Sequence, residues 1–441
     1  MKSDRSLPVA IVGGGFSGTM VAAQLARRGI DSVLIEKASR AGQGIAYSTR
    51  EPAHVLNVRA EVMSAWAGDL EHFSRVAEAA GGTPKDFVQR RQFGQYLKQQ
   101  LAEAVESGRV CVVEREAIEA RPNDSGWTVA VDGGELILAS GLVLAIGNQP
   151  PEPMPFGRGD PRVINNPWGA EALAAVEDLA QTNEDILLVG TGLTMVDAVL
   201  SLDAAGHQGR MVALSRRGLM PRGHINDMVP APVEADQVPG GNVRSLWSWL
   251  RKRGAEVGWR SAVDSLRPHT HWIWTGLPLE QKKRFSRHAR PWWDVHRHRI
   301  APEVAQQLHD LIQQGRLEIV AGRIQSIEEQ DGALQVAYRR RGSDRISEGR
   351  FAYMLNCTGP LGTISRTKDP MLAQMLADEL IKPDDLGIAL DVDDRSRLIG
   401  ADHAWAMGPM TKGRYWEIIA VPDIRGQAAE VAEDIEAELA R

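Results

Sequence analysis

The stretch that most constrains this chain is PVAIVGGGFSGTM, residues 8–20. Four apolar residues, Val9 to Val12, run as a strand into Gly13-x-Gly15-x-x-Gly18, and Thr19 to Arg28 reads as a helix with an alanine-rich face. Such a backbone seats a pyrophosphate. Gly13 permits the tight turn, Gly15 lets phosphates approach the main chain, Gly18 lets helix and strand pack closely, and the helix N-terminus behind Phe16 and Ser17 faces the anionic charge. A second strand, Asp31 to Ile35, leads to Glu36 and Lys37, and a carboxylate at that distance accepts hydrogen bonds from both hydroxyls of an adenosine ribose. The bland alternative is a glycine-rich turn without a ligand; strand, glycines, helix, second strand and terminal acid together argue against it.

A chain of 441 residues exceeds one compact core, so two or more domains are expected. A formal charge of −6, with 24% charged residues, argues against a nucleic-acid binder. The two cysteines, Cys111 and Cys357, form no CxxC, so neither a disulfide framework nor a dithiol redox centre is encoded. The N-terminal MKSDRS leads straight into the first strand, and no run of eighteen or more apolar residues occurs, which reads as a soluble cytoplasmic protein without a membrane span.

Past Glu36 the chain turns loop-rich, through AGQGIAY (41–47), HVLNVRA (54–60) and MSAW (63–66). Gly42 and Gly44 let backbone amides come close to a ligand, and Asn57, with Val58 and Met63 nearby, offers an amide edge to a heterocycle. The same spacing also suits a buried loop capped by its own side chains. A helix from Phe87 to Val105 follows, and its Arg90-Arg91 start reads as interdomain packing. Strands are expected at Val110–Ile118, Trp127–Val131 and Leu136–Ile146, the last broken at Gly147 and followed by Pro150-Pro151, where the chain leaves the first nucleotide-binding domain.

A second apolar strand from Asp185 meets Gly190-x-Gly192, with Leu193 and Thr194 opening a helix behind it. Met195 occupies the third glycine position, a looser fingerprint that suits a cofactor which comes and goes. The next strand, Arg210 to Leu214, ends in Ser215-Arg216-Arg217-Gly218. Guanidiniums bind a phosphate monoester in bidentate fashion, which points to the 2′-phosphate of NADPH, the alternative being a solvated basic turn. Different ribose chemistry at the two second strands implies two cofactors, FAD held in the first unit and diffusible NADPH in the second.

Residues 224–300 form the least generic part, an insertion that passes through a polar, proline-containing loop to Gly241 and then reads as helical, carrying Trp247, Trp249, Trp259, Trp272 and Trp274 and closing on RFSRHARPWWDVHRHR (284–299). Asp294, the only acid of that run, with His296 and His298 could suggest a metal. A spacing of two suits a strand face, whereas this segment reads helical, so no metal site is assigned. The basic and aromatic helix could also lie on a membrane surface; packing on the nucleotide domains, with some residues facing the site, is preferred. Farther on, MLNCTGP (354–360), with Thr358 and Gly359, parallels LAIGNQP (144–150) as a second crossing between domains, and Cys357 there reads as packing rather than nucleophile. Val304–Gly315 is expected as a helix, Leu317–Val320 as a strand, and Ile324–Tyr338 with Arg350–Asn356 as strands that finish the second domain. The C-terminal Leu398–Pro409 and a helix from Arg425 to Leu439 complete the first domain, with Asp423, Ile424 and Arg425 at the helix start beside the flavin pyrimidine.

The stretches GQGIAYS (42–48), LNV (56–58), SRRG (215–218), WWDVHRHR (292–299) and WEIIAVPDIR (416–425) resemble the bacterial FAD/NAD(P)-binding flavoproteins and, more distantly, the class B flavin monooxygenases, including the N-hydroxylating enzymes of siderophore pathways. The resemblance implies an α/β chain of two Rossmann-like dinucleotide-binding domains. The FAD domain (1–165 and 346–441) is interrupted by an NADPH domain (183–345) that carries the Trp-rich insertion. It implies no substrate; the leading expectation from the two cofactors is an NADPH-dependent monooxygenase that uses oxygen, through a flavin hydroperoxide, on a small polar substrate, with no side chain assigned as acid or base. An NADPH-dependent flavin reductase, or a flavin-binding regulatory protein without turnover, remain as alternatives. Two departures stand out: FxGxxxHxxxW is absent, and Gly408 is followed by Pro409 where flavoproteins of this type often place Asp.

Overall fold

The computed structural model describes residues 7–440, so the MKSDRS opening lies outside the described residues. Three sheets carry the chain. The first is five parallel strands in spatial order Ala404–Ala406, Gly141–Leu144, Val9–Val12, Ser32–Ile35 and Val110–Val113. The second has seven strands, in order Ile346–Phe351, Ala333–Arg340, Leu317–Gln330, Met211–Ser215, Ile186–Val189, Tyr353–Asn356 and Val163–Ile164. An antiparallel three-stranded sheet, Ala117–Asn123, Gly126–Val131 and Leu136–Ala139, is not hydrogen-bonded into either and packs on the first through a shared core. Both large sheets have the parallel core of a doubly wound fold, and the first is assembled from strands at both ends of the chain.

The helices used below are α1 (Phe16–Arg27), α2 (Arg90–Glu106), α3 (Leu193–Ala204), α4 (Val243–Val257), α5 (Trp259–Ser265), α6 (Arg290–Arg297) and α7 (Val421–Leu439). Every residue of α1 from Phe16 to Leu25 is buried, because the helix is covered by α2 and α7 as well as by its own sheet. The alanines and Gly18 keep it slim enough for that. Helix α2 turns Phe93, Tyr96, Leu97 and Leu101 into the same core, and at Gly94 an added Cβ would stand 2.2 Å from the Tyr47 carbonyl oxygen.

Several boundaries differ from the sequence expectation. Helix α1 begins three residues earlier, at Phe16, directly on the glycine turn. Helix α2 begins at Arg90 rather than Phe87, because Gln89 is extended and bridges Val55. The expected strands 110–118 and 136–146 each split between the parallel sheet and the small antiparallel one. The strand from Leu317 continues to Gln330, changing at a bulge near Ile324 from the parallel partner Met211–Ser215 to the antiparallel Ala333–Arg340. The second sheet runs beyond the limits 183–345: it recruits Val163–Ile164 before them and, after them, Ile346–Phe351 and Tyr353–Asn356, where a strand finishing this domain is expected over 350–356. In the insertion, by contrast, residues 224–242 are mainly irregular and the helices begin at α4, as the loop expected up to Gly241 requires. No helix among the described residues is long and apolar enough to cross a membrane.

Candidate functional site

The first glycine turn is built by close approach. At Gly13 (φ +105°) a Cβ would lie 2.5 Å from the Ala145 carbonyl oxygen, and at Gly18 it would lie 1.9 Å from the Gly13 oxygen. Both positions therefore exclude any side chain. Gly15 opens α1 with no side chain capping the helix, so its first N–H groups are left for a ligand. Gly44 (φ +58°) is folded onto Gly15, where a Cβ would meet the Gly15 Cα at 2.8 Å, and Gly42 N–H donates to the Gly14 oxygen at 2.8 Å. Gly408 (φ +59°), some four hundred positions away in sequence, stands over Ser17, whose hydroxyl oxygen is 2.7 Å from the position of its missing Cβ. Gly147 has open space around it. Buried Glu36 accepts from Gly14 N–H at 2.7 Å and from Ala38 N–H at 3.2 Å, which orients its carboxylate and leaves lone pairs for further donors. This cradle of glycines, uncapped helix start and oriented acid fits an adenine dinucleotide.

Other expected residues of this unit divide. Phe16 and Met63 are core side chains, Val58 packs at the core's edge, and Lys37 is exposed and paired with Glu116 at 3.1 Å. The carbonyl of Asn57 accepts from His224 Nε2 at 2.9 Å, while its side-chain amide makes no hydrogen bond among the described residues. His224, stacked at a tilt on Phe87, is pushed down to about 4 by burial and by the nearby Arg299, and is therefore neutral.

The second turn repeats the first. At Gly190 (φ +117°) a Cβ would lie 2.2 Å from the Cys357 carbonyl oxygen, just as Gly13 abuts Ala145. The two crossings thus occupy equivalent places. Burial raises the Cys357 thiol well above its ordinary value, and the residue packs in the core of the second unit. Gly192 opens α3 without a side-chain cap and with free space about it, Leu193 and Thr194 are partly exposed in its first turn, and Met195 is buried. Gly359 (φ +89°) is open, and Thr358 is folded back on Asn356, its hydroxyl donating at 2.7 Å. Ser215 departs from expectation. Thr191 donates to the Leu219 oxygen at 2.5 Å, so the 2.9 Å contact between Thr191 and Ser215 hydroxyls takes the Ser215 proton, while Gly218 N–H donates to Ser215 at 3.0 Å. With its one donor spent, Ser215 shapes the turn and has no proton to give a phosphate. Arg216 and Arg217 make no ion pair among the described residues.

The units are joined by Arg90, expected from the sequence as interdomain packing, and by partners that sequence reasoning passed over. Arg90, at the start of α2, grips Asp197 of α3 through two 2.8 Å hydrogen bonds, both side chains largely buried, and Arg90 Nε donates to the Val55 oxygen. His54 Nε2 lies 3.0 Å from the Asp197 carbonyl oxygen and 3.1 Å from Ser201 Oγ. At the other end, buried Gln427 of α7 accepts from Gly408 N–H at 2.8 Å and donates to Ser396 and Thr411. The start of α7 meets the insertion through charge: Asp423 is raised by burial, against the pull of Arg267 and Arg297, and its Oδ2 is buried with no hydrogen-bond partner. Arg297 Nε lies 3.1 Å from Glu417 Oε2 without hydrogen-bond geometry, and Trp293 Nε1 donates to Glu417 Oε1 at 2.7 Å. Asp294 and His298 sit one helical turn apart at 3.9 Å, and no group of three or more potential metal ligands converges among the described residues.

Residues 10–149 match the family model described as FAD-NAD(P)-binding. A Baeyer-Villiger monooxygenase, ATR8 of Stachybotrys chlorohalonatus, is 27% identical over 208 residues, 44% of this chain and 31% of that protein, so the chain spans about a third of the curated relative it matches. Among solved structures, the ornithine N-hydroxylase of Kutzneria sp. 744 shares the fold over 99% of this chain and 100% of its own, with TM-score 0.68 and 16% identity. The L-lysine 6-monooxygenase of Pseudomonas syringae does so over 98% and 99%, with TM-score 0.68 and 16% identity. At such identities the likeness is one of fold.

Proposed function

We propose that this chain, an FAD-NAD(P)-binding protein over residues 10–149, is an FAD-dependent oxidoreductase that uses NADPH and dioxygen to hydroxylate a small polar substrate. One oxygen atom would go to the substrate and the other to water, with NADPH and a proton supplying the reducing equivalents. The observation that carries this reading is the pair of glycine-cradled, uncapped helix starts with opposite ribose chemistry, Glu36 in one unit and Arg216 with Arg217 in the other. In it, Gly13, Gly15, Gly18, Glu36, Gly44 and Gly408 hold FAD, and Gly190, Gly192, Arg216 and Arg217 hold NADPH. When bound, FAD supplies hydride acceptance and oxygen activation. The chain's own part is to orient the two dinucleotides, with Arg90 and Asp197 joining the units that carry them. The monooxygenases that share the fold support the reading. A disulfide reductase is disfavoured by an exposed Cys111 and a buried Cys357 lying in different units.

The test is anaerobic reduction by NADPH followed by rapid mixing with aerated buffer, read by flavin absorbance and peroxide yield. NADPH should bleach the flavin, and reoxidation should pass through a transient absorbance distinct from both end states. Direct return to oxidised flavin with a full equivalent of hydrogen peroxide would instead indicate a reductase serving another acceptor. A flavin that NADPH fails to bleach would indicate a binding protein without turnover.

A further inference from the structure

The helical insertion forms a half-open cavity of about 900 Å³ that neither glycine turn accounts for. Its wall is aromatic, made by Trp247 of α4, Trp259 of α5, and Trp292 and Trp293 of α6. A smaller void of about 50 Å³ lies against it, sharing Trp247, Leu250 and Trp293 and otherwise almost wholly apolar, so the cavity has a dry inner end. Its rim is cationic: Arg244, Arg251 and Arg284 line it, and no carboxylate does. Those three make no ion pair among the described residues. Four other arginines of the insertion are matched, Arg253 with Glu256, Arg290 with Asp294, Arg297 with Glu417 and Arg299 with Asp264, whereas Arg260, Arg267 and Arg287 lie outside this cavity's lining and pair with no acid among the described residues. Arg244, Trp247, Arg251 and Gly254 follow at helical spacing, which puts aromatic wall, cations and glycine on one face of α4.

Gly254 is the telling position. It sits inside α4 with no positive φ, and an added Cβ would meet only ordinary contacts, the nearest being the Trp259 Cα at 3.6 Å. Glycine weakens a helix interior, and here no backbone demand requires it. What its missing side chain provides is room in the cavity. Volume, apolar lining and a few convergent polar groups are the attributes of a small-molecule site rather than of a packing defect.

We propose that this cavity binds an amphipathic carboxylate, its chain or ring on the tryptophans and its anionic end at Arg244, Arg251 and Arg284. The site belongs to the insertion alone, so its test is independent of the flavin reading. Decanoate and decanol are titrated separately into the full-length protein below the micellar concentration, with intrinsic tryptophan fluorescence as the readout. Decanoate should bind saturably and roughly tenfold or more tighter than decanol, as a charge-assisted contact requires. Arg251→Gln, on the exposed rim, should remove most of that difference and leave decanol unchanged. Gly254→Leu should abolish binding of both without lowering the thermal midpoint. Equal affinity for acid and alcohol overturns the proposal, as does undiminished binding by Gly254→Leu, or a response to anionic vesicles with none to monomeric decanoate.

Discussion

Glu36 and Ser215 stand at corresponding places, at the ends of the second strands of their units, and spend their hydrogen bonds differently. Glu36 is oriented by Gly14 and Ala38 and keeps lone pairs free, whereas Ser215 gives its proton to Thr191. That difference is invisible in the residue types, because it depends on which neighbour the fold delivers. His224 makes the point with a consequence for stability. Its pKa falls from 6.5 to about 4, so between those values the unfolded chain binds the proton and the folded one does not. The contribution is present above about pH 6.5 and is lost as the pH falls toward 4, on the order of 2 kcal/mol once the ring's residual exposure is allowed for. Urea unfolding of the parent and His224→Gln between pH 4 and 7 should show a flatter profile for the variant. Parallel profiles would mean that the ring does not titrate this way.

At the scale of elements, α2 and α3 are the joint between the two units. Arg90→Ala would leave Asp197 buried and unpaired, and should cost about 3–5 kcal/mol in chemical denaturation, while Arg90→Ala with Asp197→Ala should recover much of it. A single-variant loss below about 1 kcal/mol would rule out this pair as the joint. The Arg90-Arg91 start was legible as interdomain packing, yet its partner was not, since Asp197 lies 107 positions away on a helix whose pattern shows only an acid on an apolar face. Element types were largely readable from apolar runs and glycines. Boundaries were not, where a bridge such as Val55 to Gln89 or a change of sheet at Ser140 intervened. Those depend on pairing with distant strands, and local propensity carries no record of it.

Over the whole molecule, the two dinucleotide units should be separable by mutation. Arg216→Ala with Arg217→Ala should weaken NADPH binding by about 10- to 100-fold, leave NADH nearly unchanged and leave flavin content intact, measured by titration and absorbance. Loss of flavin in that variant would mean that the arginines serve the fold rather than a phosphate. The sequence by itself determined the two strand–glycine–helix units, the acid at one second strand and the arginines at the other, because turn chemistry and apolar period are local properties. Tertiary structure decided the rest. It brought Gly408 over Ser17 and Gly44 onto Gly15, turned the Ser215 hydroxyl toward Thr191, joined the units through Arg90 and Asp197, and extended the second sheet to Val163–Ile164. The physical reason is that close packing and hydrogen-bond satisfaction are settled between residues far apart in the chain, where no local pattern can anticipate which groups will meet.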